Sequence, residues 1–193
     1  QQAVKLAPRD PDALVELGKA LNILARYDEA LVALHTARGI RSNDAELFTA
    51  IGIAEASLLR ADDAEAAYRH AIALRRNFSL PYFNLGILLE QGNRLEELEA
   101  LLNAARSAGV DMSDLTILDA LLLRRRGELD AALKLAQGAP IFLPIVAELR
   151  AELIGQAADR LGDPVTAFAA FTEMNRLAAE RPAARGVDKL EYR

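Results

Sequence analysis

Glycines that recur at a fixed interval are the feature that most constrains how this chain can fold. Gly18, Gly52 and Gly86 lie 34 residues apart, and the same step leads to Ala120 and then, with one residue more, to Gly155. A period of this length predicts a row of similar helical units that stack side by side. No unit of that kind buries its apolar face alone, so the stack itself must form the core.

Two further columns of small residues keep the same register. Twelve residues after the first column lie Ala30, Ala64, Leu98, Ala132 and Ala167, and seven residues further lie Ala37, Ala71, Ala105, Ala139 and Met174. Bulky side chains fall between them at Leu34, Tyr68, Leu102 and Phe171, with Ala136 the exception. Such a lattice is typical of paired antiparallel helices, because only Gly or Ala fits where two helix axes approach closely. The bulky residues fill the space between those close contacts.

The composition favours helices throughout. Ala and Leu dominate, with Glu, Asp and Arg around them, and the alternating Val/Ile/Thr runs that indicate strands are missing. Turn-forming residues separate the apolar segments. The patterns predict helices at 12–25, 28–39, 45–58, 62–74, 79–91, 95–107, 113–125, 129–137, 144–160 and 164–179.

The Leu-Gly pair, the later Ala, the bulky residue and the second Ala together resemble the tetratricopeptide repeat (TPR) family. The resemblance implies an all-α, right-handed superhelical array of antiparallel helix hairpins, an alpha solenoid of about five repeats. We expect those repeats near 11–44, 45–78, 79–112, 113–147 and 148–181. Residues 1–10, which contain Pro8, then end a preceding repeat, and residues 181–193 form a linker or tail.

The fourth unit departs from the lattice. The run Gln137-Gly138-Ala139-Pro140 predicts an early end of its second helix, because Gly and Pro interrupt helices. The apolar residues 141–146 that follow are either a linker buried under the next helix pair or a hinge or pocket wall. We expect a local change of superhelical curvature here.

Several classes of function are disfavoured. A net charge of −5 and a pI near 5.2 argue against nucleic-acid binding and against a polybasic membrane anchor. The chain lacks cysteine, and it has no apolar run long enough to span a membrane. A cytoplasmic protein fits these features.

The sequence contains no recognisable set of catalytic residues. His35 and His70 are the only histidines, and in the repeat frame they lie on second helices as exposed or partly packed side chains. No phosphate-binding glycine loop or metal-ligand spacing is present. We therefore predict no catalytic, cofactor or metal site in this chain.

The resemblance implies that the first helix of each hairpin lines a concave groove. The predicted partner-binding wall includes Val15, Lys19, Asn22, Thr49, Ile53, Phe83, Ile87, Glu90, Ile117, Leu121 and Arg124. Ile53, Phe83, Ile87, Ile117 and Leu121 are expected to form an exposed apolar stripe, which would mark a partner site. Alternatively, the curvature of the array covers that stripe.

The apolar stripe favours an extended or helical apolar partner segment. Lys19 and Asn84 are near-matches to the carboxylate clamp of chaperone-binding TPR proteins, but Val15, Ala50 and Leu80 stand where that clamp has polar groups. A receptor for chaperone tails is therefore disfavoured. The run 124–126 of three arginines either offsets a helix dipole or contacts an anion or acidic peptide at the groove edge.

Residues 161–177 carry a second resemblance, to the last repeat of bacterial proteins that join a TPR array to a sulfotransferase domain. It implies sulfuryl transfer from phosphoadenosine phosphosulfate by a domain beyond Arg193, so that this chain itself holds no cofactor. Two functions from different classes stay open: a scaffold that binds a protein or peptide in its groove, and the accessory half of a sulfotransferase. An assembly factor for a secretion or envelope complex is a third, weaker alternative. In the second case the partner is the chain's own C-terminal domain or a second copy in a homodimer.

Overall fold

The computed structural model describes residues 10–141 and 143–180, which form ten α-helices, one 3₁₀ helix and no strand. The α-helices are α1 Pro11–Ile23, α2 Tyr27–Ile40, α3 Ala45–Ser57, α4 Ala61–Leu74, α5 Ser79–Gln91, α6 Leu95–Ser107, α7 Thr116–Arg126, α8 Leu129–Gly138, α9 Pro144–Leu161 and α10 Pro164–Glu180. They pair in chain order as five hairpins, each with a first and a second helix. The all-α repeat array predicted from the sequence is confirmed.

The helix bounds agree with the prediction to within two residues, except at the start of α7. There a 3₁₀ helix, Met112–Leu115, precedes the α-helix, with the Asp111 side chain accepting a hydrogen bond from the Ser113 amide. The expected end of a preceding repeat at 1–9 and the expected linker at 181–193 lie outside the described residues.

The close approach of paired helices rests on glycine in three hairpins. A Cβ atom placed on Gly18 would lie 2.4 Å from Leu34, and one on Gly155 would lie 2.7 Å from Phe171. In the second hairpin Gly52 has the same relation to Tyr68. The lattice of small and bulky residues is therefore the contact surface between the two helices of a hairpin.

The third hairpin departs from that arrangement. The three atoms nearest a Cβ on Gly86 all belong to Leu118 of α7, instead of Leu102 of the partner helix α6. Leu98 is the one bulky residue in a column of alanines, and its side chain is fully buried. In the same hairpin α5 and α6 contact each other less extensively than the helices of any other hairpin in the described chain.

The fourth hairpin ends early, as predicted. Its second helix α8 has 10 residues, whereas the other second helices have 13 to 17. The segment after it is not uniformly buried, because Ile141 is 49% exposed while Val146 is fully buried. Phe142 lies outside the described residues, and the expected change of curvature stays a prediction.

The turn inside each hairpin needs one residue in the left-handed backbone region. Gly127 (φ 83°) and Gly162 (φ 78°) supply it in the last two hairpins. The first three hairpins place Ala25 (φ 57°), Leu59 (φ 61°) and Asn93 (φ 56°) at the same position. A side chain with a Cβ is strained there, and least so for Asn.

The first helices lie on the inner side of the array. The backbone of each of α1, α3, α5 and α7 approaches that of the next first helix closely, whereas in the described chain no two second helices come as close and α4 and α6 meet through long side chains such as Arg69 and Glu97. Helices on the inside of a curve are closer together than helices on the outside. The odd-numbered helices therefore form the inner face and the even-numbered helices the outer face.

Candidate partner-binding face

The apolar stripe predicted for the inner face is not an exposed surface. Phe83, Ile117 and Leu121 are only 2%, 1% and 4% exposed and belong to the hydrophobic core, and Ile53 and Ile87 are partly buried against that core. The expected exposure of the stripe is wrong, whereas the alternative interpretation, that the array itself covers the stripe, agrees with this burial. Successive first helices pack directly on each other, so the stripe points into the contact between them.

Two other predicted wall residues are buried by the same packing. Val15 is 4% exposed and Thr49 is 2% exposed, with the Thr49 hydroxyl donating to the Ala45 carbonyl. They occupy the same position of the repeat as Phe83 and Ile117. This column therefore stabilises the stack, and its side chains are not available to a partner in this conformation.

The polar residues of the first hairpin tie α1 to α3. The Asn22 side-chain amide donates to the Ala50 carbonyl at 2.8 Å. Lys19 Nζ lies 2.7 Å from Glu16 and 3.3 Å from Glu46, and the hydrogen bond to Glu16 raises the pKa of the lysine. Both side chains therefore bond within the array.

A polar cavity of about 590 Å³ opens on the inner face between α5, α7 and α9. At its centre Arg124 Nη2 donates to Glu90 at 2.9 Å, and Arg125 donates through Nε to the same carboxylate. Arg124 also donates to the side chain of Gln156, whose amide donates to Glu152 at 2.8 Å. The predicted wall residues Glu90 and Arg124 are thus joined, and the network crosses three consecutive first helices.

The charge of this cavity is not fully balanced within it. Arg160 is exposed at its edge and has no hydrogen bond or ion pair in the part of the chain that the structure describes. Arg125 shares Glu90 with Arg124 and keeps 38% of its side chain exposed. Three arginines therefore face the two carboxylates of Glu90 and Glu152, which leaves an excess of positive charge.

The three arginines predicted at the groove edge have different roles. Arg124 and Arg125 pair with Glu90, while Arg126 pairs with Glu99 of α6 at 2.6 Å, away from the cavity. The run closes α7, where cations also offset the helix dipole. Only Arg125, at the rim, retains exposure into the cavity.

The contribution of α9 was missed by the sequence interpretation. Glu152, Gln156 and Arg160 line the cavity, but the predicted wall stopped at Arg124. The signal was present in the 35-residue step from Ala120 to Gly155. With the same 35-residue spacing, Gln156 is equivalent to Leu121 and Arg160 is equivalent to Arg125.

Other kinds of site receive no support from the described residues. His35 and His70 lie exposed on α2 and α4, and partial burial lowers the pKa of His35. In the ranges 10–141 and 143–180, no three His, Asp or Glu side chains cluster as metal ligands would. Within the same ranges no helix combines the length and apolarity needed to cross a membrane.

Comparison with solved structures decides the fold family. A chain of an APC/C hetero-tetramer superposes with a TM-score of 0.81 at 15% identity, over 92% of this chain and 35% of that chain. A thermophilic TPR protein of Thermus thermophilus superposes with a TM-score of 0.72 at 18% identity, over 91% and 95% of the two chains. This chain has the tetratricopeptide-repeat fold.

The TPR protein YrrB, which has an unusual peptide-binding site, is a third similar structure, with a TM-score of 0.58 at 15% identity over 95% and 94% of the chains. No protein-family model and no curated protein matches the sequence. This TPR chain spans about a third of the APC/C chain it resembles. The link to a sulfotransferase domain stays a prediction.

Proposed function

We propose that this TPR array is an interaction scaffold that holds a protein partner on its inner face. The observation that carries the proposal is the polar cavity between α5, α7 and α9, whose volume lies in the range of ordinary ligand sites. The TPR fold itself supports a scaffold. The peptide-binding site of the similar protein YrrB supports a peptide or an extended segment as the ligand.

The burial of the predicted apolar stripe changes the kind of partner that fits. An apolar segment would need an exposed apolar surface, and Phe83, Ile117 and Leu121 do not provide one. The accessible groups of the cavity are instead guanidinium, amide and carboxylate groups. A partner with an acidic side chain fits best, because Arg125 and Arg160 offer the positive charge that Glu90 and Glu152 leave uncompensated.

Arg124 stabilises the cavity and is not the group that would contact the partner. Its side chain is 15% exposed and lies between Glu90 and Gln156, so it fixes the positions of α5, α7 and α9 relative to one another. A partner carboxylate would meet Arg125 and Arg160, which point to the open side of the cavity. Such contacts favour specificity and fast association.

Site-specific photocrosslinking in cells tests the proposal. Benzoylphenylalanine replaces either Gln91, which is exposed at the cavity, or Ala66, which is exposed on the outer helix α4. We expect a discrete protein adduct from position 91 that disappears in the additional variant Arg160→Glu, and no such adduct from position 66. Equal adducts from both positions, or an adduct at 91 that survives Arg160→Glu, would contradict the proposal.

A further inference from the structure

A second cavity lies on the outer face and is unrelated to the polar cavity. It measures about 460 Å³ and runs between the second helices α4 and α6, with α5 as its floor. Ile72 and Leu101 lie on opposite walls, and Leu85 and Leu89 form the base. A cavity of this size with mostly apolar walls is typical of a small-molecule site.

The third hairpin explains why an open space exists at this point of the array. In this hairpin Leu98 takes the place of the alanine found in the same column of the other repeats, and α6 packs less closely on α5 than the second helix does in the other hairpins. The wall of α6 facing the space carries the small residues Ala100 and Ala104, which do not fill it. The cavity therefore lies where the repeat departs from its pattern.

The charge at the cavity has one uncompensated group. Arg69 is paired with Glu65 at 2.6 Å and with Glu97 at 3.4 Å, and Glu97 is also paired with Arg94. Among the described residues, the side chain of Arg76 has neither a hydrogen bond nor an ion pair. The Tyr82 hydroxyl donates to the Arg76 carbonyl at 3.0 Å, which holds the backbone of this arginine at the end of the cavity.

We propose that this cleft binds a single-chain amphiphile with one anionic head group. Its apolar chain lies along Ile72, Leu101 and Ala104, and its carboxylate contacts Arg76. Each buried methylene contributes to binding through the hydrophobic effect, and the guanidinium selects an anion over a cation or a neutral head. The site does not depend on the inner-face scaffold function.

Titration calorimetry of the 193-residue chain with decanoate, kept below its micelle concentration, tests this site. We expect saturable one-to-one binding, and decyltrimethylammonium should bind at least about tenfold more weakly because its charge opposes Arg76. The variant Arg76→Gln should weaken decanoate binding about tenfold and remove the preference between the two head groups. Equal affinity for the two amphiphiles in the unmodified protein would overturn the proposal.

A blocking variant separates the cleft from general surface adsorption. Ala104 is exposed, so Ala104→Trp fills the cleft without disturbing the core, and decanoate binding should be lost. Ala131→Trp, at an exposed alanine of α8 outside the cleft, is the matched control and should bind normally. Circular dichroism checks that both variants keep their helices.

Two other results would also overturn the assignment. Retained binding in Ala104→Trp would place the ligand elsewhere on the protein. A concentration-dependent dimer in sedimentation velocity that Ala104→Trp abolishes would assign the cleft to a second copy of the chain.

Discussion

Gly52 and Tyr68 touch across the second hairpin: a Cβ on Gly52 would lie 2.4 Å from Cε1 of the tyrosine ring. Tyr68 is 2% exposed, and its burial raises the pKa of the phenol above its usual value. Three ring atoms of Tyr68 would lie within 2.9 Å of the added Cβ, so the ring or the backbone would have to shift. The pair shows how the 34-residue period becomes a packed hairpin.

Replacing Gly52 with alanine should therefore destabilise the array by about 1–3 kcal/mol, because the added methyl group overpacks a filled contact. Gly39 is the matched control, since it lies within α2 and a Cβ there meets nothing within 4 Å. Gly39→Ala should stabilise the protein by about 0.5–1 kcal/mol through helix propensity. Urea unfolding compares the two variants, and equal effects would exclude the close contact as the reason for the glycine.

Replacing Leu59 should stabilise the protein. It has φ 61° in the turn between α3 and α4, and its side chain is 92% exposed, so it is strained without compensating packing. Leu59→Gly should raise the free energy of unfolding by about 0.5–1 kcal/mol. The reverse change at the equivalent turn, Asn93→Leu, should lower it, and thermal unfolding measures both. A loss of stability in Leu59→Gly would argue against the left-handed turn.

Acid should weaken the ion pairs between α4 and α6. Hydrogen bonds from Arg94 and Arg69 lower the pKa of Glu65 from 4.5 to about 2. A carboxyl group whose folded pKa is lowered stabilises the protein above its unfolded pKa, and the contribution is lost as the pH falls from about 4.5 to 2. Glu65→Gln should remove about 1 kcal/mol at pH 7 and flatten the decline of stability with acid.

Asp159→Asn is the control for that experiment, because this exposed aspartate makes no side-chain hydrogen bond or ion pair among the described residues. Urea unfolding at a series of pH values gives the comparison. The prediction fails if Glu65→Gln and Asp159→Asn leave the same pH dependence.

Glu90 should stabilise the folded protein in addition to lining the polar cavity. It is 7% exposed and accepts hydrogen bonds from two arginines of α7. Glu90→Gln leaves the mostly buried Arg124 without its carboxylate and should destabilise the protein by about 2–4 kcal/mol. Glu173→Gln, which breaks an exposed pair with Arg176, should have little effect in the same unfolding assay.

The sequence predicted the helices well because small and bulky residues recur in register. Gly18 and Gly155 contact Leu34 and Phe171, as the register of the small and bulky columns predicts. The looser contact between α5 and α6 in the third hairpin was not predicted, although Leu98 already interrupts the column of alanines. A column pattern indicates which residues meet, but not how two helices respond when one residue is too large.

The candidate site was predicted less completely. The repeat register placed Glu90 and Arg124 on the inner face, where they pair at 2.9 Å. It could not show that Phe83 and Ile117 are buried, because exposure depends on how closely successive first helices pack. Arg160 was missed because the predicted wall ended in the fourth hairpin, although the 35-residue step to Gly155 also leads from Arg125 to Arg160.

The most direct test is the affinity of the array for the protein that the inner-face crosslink identifies, measured by calorimetry with two charge reversals. Arg160→Glu changes the cavity, and Arg38→Glu changes an exposed arginine of the outer helix α2. We expect Arg160→Glu to weaken binding at least about tenfold and Arg38→Glu to change it less than about twofold. Equal losses in both variants, or no loss in Arg160→Glu, would contradict an inner-face scaffold that recognises an acidic group.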